Sequence, residues 1–173
     1  VAGRSRVLGL PLPEIRPGEV EKARAVAAKY GQPGAAPFME MVHAFKVLAV
    51  AERNGKPLEA EVQTIALAPG IAFVGLPGEI FTELGMAIKK ASPFPHTIVV
   101  SLANGSIGYV PDSRAYPQGA YEPVSARCAQ GAGEMLVETA LDLLKELAGS
   151  GDFRGSSDDP LRFERMIDEL AAF

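Results

Sequence analysis

Apolar and polar positions follow two different periods along the chain, and the changes of period mark out the elements. Over 58–67, Leu58, Ala60 and Val62 alternate with Glu59, Glu61 and Gln63, which predicts a strand with one wet face. Pro69-Gly70 marks a turn, and the run Ile71-Ala72-Phe73-Val74-Gly75 predicts a more buried return strand. Ile80, Leu84 and Ile88 then fall on one face of a helix predicted over 79–91, ended by Pro93 and Pro95. The β-prone run 97–102 predicts a central strand. Upstream, 5–11 reads as a short strand. Pro17 opens a helix to about residue 30, with Glu19 and Glu21 in the first turn, where the helix dipole favours acids. A second helix is predicted over 37–53, its core face formed by Phe38, Met41, Val42, Phe45, Leu48 and Ala49. Past Gly133, Leu136, Ala140, Leu143, Leu144 and Leu147 are in phase on an amphipathic helix. The polar stretch 149–159 reads as a linker and 160–172 as a last short helix.

This order predicts an α/β or α+β domain with a mixed sheet and packed helices. A crossover through the 79–91 helix would make the strands at 71–76 and 97–102 parallel. Between 103 and 130, Asn104, Gly105, Gly108, Pro111, Pro117, Gly119 and Pro123 exclude a long helix or a central strand. Long loops inside a domain are commonly functional, and Tyr109, Tyr116 and Tyr121 argue against disorder here.

Composition narrows the function classes. The 173 residues are 47% hydrophobic, which excludes an intrinsically disordered chain and allows a sizeable single core. The formal net charge of −4, with no basic run, gives no electrostatic footprint for nucleic acid. No apolar run is long enough for a transmembrane segment. Cys128 is the one cysteine, which excludes an internal disulfide and a cysteine-based zinc cluster and leaves the compartment open. Val1 in place of Met reads as a processed chain or a piece of a longer one.

The place richest in chemistry is Leu76-Pro77-Gly78-Glu79, where a buried strand ends and a helix is predicted to start. Ligand sites of open α/β sheets lie outside the carboxyl ends of strands. Glu79 is therefore either a functional carboxylate or a first-turn acid answering the helix dipole. The loop 104–122 follows the next strand, so its tyrosines either join Glu79 or serve as loop anchors. His43 and His96 share no ligand spacing, and no serine sits in a nucleophile elbow. Gly131-Ala132-Gly133 reads as a turn.

The run VGLPGEIFTELGMAIKKASPFPHTIVVSLANGSIGYVPDSRAYPQGAYE (74–122) resembles the carboxyl-terminal part of the catalytic domain of neutral/alkaline (non-lysosomal) ceramidases, closest to the bacterial ceramidase-like proteins. The resemblance covers roughly residues 60–145. It rests on Gly-Glu followed by Thr, Leu-Ala-Asn-Gly after a strand, Gly-Tyr-Val-Pro, and Tyr-Glu. It implies a zinc-dependent amidohydrolase cleaving the amide of an N-acylsphingosine-like lipid. Glu79 and Tyr109 would be metal ligands, and Tyr121, twelve residues beyond Tyr109, would sit beside the scissile amide. Secretion or a periplasmic location is in keeping with that family.

The family's two histidine ligands come from an earlier His-rich motif that nothing here matches, so neither His43 nor His96 takes that role. The resemblance thus implies that 1–173 is one segment, the last third of a catalytic domain whose Zn2+ is completed by ligands outside this chain. Alone it is expected to be inactive as an amidase, and to self-associate or expose an apolar patch. The competing reading is a non-catalytic packing or interaction segment. An upstream coding segment carrying two histidine ligands would separate the two.

Overall fold

The computed structural model describes residues 1–150, so the linker and terminal helix predicted within 149–173 lie almost wholly outside the described residues. Strand β1 (Ala2–Leu10) pairs antiparallel with β2 (Leu58–Ala68), and β2 pairs antiparallel with β3 (Ile71–Gly75) across the Pro69-Gly70 turn. Helix α3 (Thr82–Ala91) then crosses over to β5 (His96–Val100), which pairs parallel with β3. The sheet order is β1-β2-β3-β5, a mixed sheet with the parallel pair expected from the crossover. Two residues on either side of the crossover, β4 (Glu79–Ile80) and β6 (Tyr109–Val110), make a second, parallel two-stranded sheet.

One face of the larger sheet carries the core. Leu58, Ala60, Val62, Thr64 and Ala66 of β2 alternate inward, joined by Ala72 and Val74 of β3, as a half-wet strand pattern requires. Helix α5 (Ala132–Gly149) covers this face, packing on β1, β2 and α3 with Leu136, Ala140, Leu143, Leu144 and Leu147 buried as their phase predicts. Each such buried leucine contributes roughly 1.5–3 kcal/mol relative to exposure. Gly133 lets α5 approach α3, since a Cβ there would stand 2.5 Å from Leu84 Cδ1 and 2.9 Å from the Pro111 carbonyl oxygen.

Three expectations need correction. First, the helix predicted from 79 begins at Thr82, because 79–80 are taken up by pairing with 109–110. Secondly, β5 is an edge strand rather than a central one, with Ile98 and Val100 exposed on the face away from the helices. Thirdly, the core face of the second helix, α2 (Phe38–Ala51), is rotated from the predicted one. Met41, Ala44, Val47 and Val50 are buried, while Phe38 is 69% exposed. The reason is the neighbour: α2 packs on helix α1 (Glu19–Ala27) through small residues, Ala44 and Val47 against Ala23, which lets the axes come close and turns the large rings outward. Among the described residues no helix is long and apolar enough to cross a membrane.

Candidate active site

Residues 76–81 leave the end of β3 and are zipped along the chain that follows β5. The Leu76 N–H donates to the Val100 carbonyl (3.0 Å), and the Ala103 N–H to the Leu76 carbonyl (3.0 Å). The Ile107 N–H reaches the Pro77 carbonyl at 2.7 Å, the Glu79 N–H reaches Gly108 at 2.9 Å, and the Phe81 N–H reaches Val110 at 3.2 Å. Gly78 makes this approach possible. A Cβ on it would stand 2.9 Å from both the Gly108 carbonyl oxygen and Val110 Cγ2, and backbone cannot move aside. The result sets Glu79 in register beside Tyr109. Paired residues on adjacent strands project to the same side, so carboxylate and phenol stand next to one another.

The Glu79 carboxylate beside Tyr109 holds its phenol above its ordinary pKa. Tyr121 opens the short helix α4 (Tyr121–Ser125) and meets Tyr109 edge to face, with ring centroids 5.8 Å apart. Phe38, the first residue of α2, stacks on Tyr121 at 5.7 Å and 17° between planes. Glu79 and Tyr109 also line an open cleft of about 510 Å³ together with Ile80, Phe81, Thr82, Glu83 and Ser101.

The loop that delivers the tyrosines is tied down at several points. The Tyr116 hydroxyl donates to the Cys128 carbonyl at 3.1 Å, and burial pushes this phenol far above its ordinary pKa. The Ser113 N–H donates to Glu134 (2.8 Å), Gln130 Nε2 to the Ser113 carbonyl (2.9 Å), and the Ala129 N–H to the Pro11 carbonyl (2.8 Å). Tyr116 is thus the loop anchor, the role left open for all three tyrosines. Tyr109 and Tyr121 lie with Glu79.

The structure brings together the three predicted site residues but no histidine. His43 of α2 bonds Glu19 at the start of α1 (3.0 Å), and His96 opens β5 on an exposed surface. Among the described residues no group of three or more His, Cys, Asp or Glu side chains is placed to hold a metal ion. Two further residues lie beside this group: Phe38, which its spacing on an apolar stripe assigns to the core, stacks on Tyr121, and Ser101, just past the carboxyl end of β5, lines the cleft.

No protein-family profile matches the chain, and no curated protein matches it in sequence. Solved structures do. The neutral ceramidase from Pseudomonas aeruginosa superposes with a TM-score of 0.52 over 82% of this chain and 24% of that one, at 16% identity. The fold is ceramidase-like. A ceramidase complexed with C2 is also similar, with a TM-score of 0.48 over 83% of this chain and 26% of that one, at 18% identity. The chain thus spans about a quarter of the length of each of these structures. At such identities the likeness concerns the ceramidase-like fold; the site residues stand on their own geometry.

Proposed function

We propose that residues 1–173 form the carboxyl-terminal part of a zinc-dependent amidohydrolase domain acting on an N-acylsphingosine-like lipid, with Glu79 and Tyr109 as metal ligands and Tyr121 assisting the amide. The observation that carries the proposal is the in-register pairing of Glu79 with Tyr109, at the carboxyl end of the parallel strands and with the Tyr121 ring 5.8 Å from Tyr109. The likeness of fold to a neutral ceramidase supports the same reading.

The donor set fits half of a zinc site. A carboxylate and a phenol are oxygen donors of the kind zinc accepts, and a four-coordinate site needs further ligands, supplied in this reading by the longer protein. When bound, zinc supplies a Lewis acid for the amide carbonyl and brings the pKa of a bound water toward about 7. The residues of this chain do the rest. Glu79 gives its carboxylate and orients the phenol beside it. Tyr109 releases the proton that Glu79 otherwise helps it to keep, since a phenol near pKa 10 ligates as the phenolate. The Tyr121 hydroxyl donates to the oxygen of the amide as charge develops there.

The test is metal analysis and N-acylsphingosine hydrolysis by the longer protein and its variants. Glu79→Ala and Tyr109→Phe are expected to abolish zinc binding or turnover, and Tyr121→Phe to lower turnover with zinc retained. Full activity with Glu79→Ala would overturn the reading.

A further inference from the structure

Phe38 contradicts the ordinary logic of its helix. It is a large apolar ring at the first position of α2, and 69% of it is exposed although it belongs by spacing to an apolar stripe. Exposed single hydrophobic residues are common and need no explanation alone. The arrangement around this one does, because its ring stacks nearly parallel on Tyr121, which also makes an edge-to-face contact with Tyr109. Tyr121 is itself 40% exposed and begins a helix of five residues. Helix α2 supplies a firm base, since Ala44 and Val47 fasten it to α1 and it packs on α4.

We infer that Phe38 is a positioning residue of the site: it clamps the Tyr121 ring against Tyr109 and so fixes where the Tyr121 hydroxyl stands. The inference rests on the amidase reading for the role of Tyr121 and adds a residue that lies forty positions before the Gly78-Glu79 motif. Offset stacking and edge-to-face contact are the two arrangements that aromatic quadrupoles favour, and Tyr121 makes one of each. A tyrosine in contact with two rings has its two torsions restrained before substrate arrives. A misplacement of about 1 Å in a reacting group can cost up to a hundredfold in rate.

The test has two readouts. In the 173-residue chain with ring-labelled tyrosine, only four tyrosine ring signals are present, and Tyr121→Phe identifies one of them. Phe38→Leu is expected to shift the Tyr121 signal by removing the ring current of Phe38, with Tyr116 unmoved. In the longer protein the same substitution is expected to lower kcat about tenfold with KM changed less than about twofold, and Phe38→Tyr, which keeps a ring to stack, is expected to restore most of the loss. The position is exposed, so the fold tolerates the change. An unmoved Tyr121 signal, or a moved one with kcat unchanged, overturns the inference. A longer wild-type protein without hydrolysis overturns the amidase reading as well, and is told apart because it shows before any variant is made.

Discussion

Glu79 and Tyr109 stand side by side in a parallel pairing only two residues long, although thirty positions separate them in sequence. Neither the chemistry of the two side chains nor their spacing brings them together. The crossover through α3 and β5 does, because it returns the chain to the same end of the sheet from which 76–81 departs.

The first expected outcome concerns the Tyr109 proton. The Glu79 carboxylate beside it raises its pKa, so Glu79→Gln should bring that pKa down toward about 10 in a phenolate absorbance titration. The sign for stability follows: the folded phenol holds its proton more tightly than the unfolded one. The contribution is therefore complete below pH of about 10 and is lost as pH rises through the raised value. An unchanged Tyr109 titration in Glu79→Gln would show that the carboxylate is not its partner.

Gly78→Ala should part this pair. The added methyl meets the Gly108 carbonyl oxygen and Val110 Cγ2 at 2.9 Å, and overpacking of this kind costs about 1–3 kcal/mol. Thermal unfolding should show the loss, and the Tyr109 titration should fall with it. Gly85→Ala, where the nearest atom is Val99 Cγ1 at 4.0 Å, is the control expected to leave the Tyr109 titration unchanged and, being inside α3, to raise stability by about 0.5–1 kcal/mol.

Acid should loosen α1 before the main core. Glu19 accepts from the Arg16 N–H (2.8 Å) and pairs with His43, and the backbone bond first, then His43, holds its pKa below the ordinary carboxylate value. A depressed pKa stabilises above the unfolded value of about 4.3 and loses that contribution as pH falls through the folded one. Protection of α1 amides against hydrogen exchange, relative to the intrinsic rate at each pH, should fall in that window in the wild type, and Glu19→Gln should remove that fall. Equal acid sensitivity in both proteins would assign it elsewhere.

The open face of the large sheet should make the isolated chain associate. Ile65, Phe73 and Ile98 form one row across β2, β3 and β5, and Leu67, Ile98 and Val100 are each more than 40% exposed. An apolar face on a strand edge is a template for pairing with another copy. Sedimentation is expected to show self-association that Ile98→Lys reduces; a monomer at all concentrations would exclude it.

Much of this arrangement was legible in the residues, for identifiable reasons. The strand 58–68 was readable because alternation is specific to a sheet with one wet face, and the parallel pair because a helix between two strands leaves few alternatives. Glu79, Tyr109 and Tyr121 are singled out by the family resemblance at the motifs, and the structure sets them near one another; periodicity alone leaves Glu79 open as a helix acid. That option failed since two residues of pairing with Tyr109-Val110 outcompete an extra helical turn, a non-local effect absent from local propensity. Phe38 was misplaced for the same kind of reason. An apolar stripe does not say which of two adjacent faces a small-residue contact with α1 will select.

The shortness of the β4–β6 pairing also orders the folding of the chain. Closing the segment between Glu79 and Tyr109 costs loop entropy, and a ladder of two residues returns too few hydrogen bonds to offset it. The ladder becomes favourable only once β3, α3 and β5 are docked and hold the two segments within reach. A chain that has collapsed but not finished its parallel pairing therefore has a carboxylate and two phenols, and no site. The raised pKa of Tyr109, which depends on Glu79 lying beside it, is then a marker of the completed fold, registering in one titration whether the last contacts have closed.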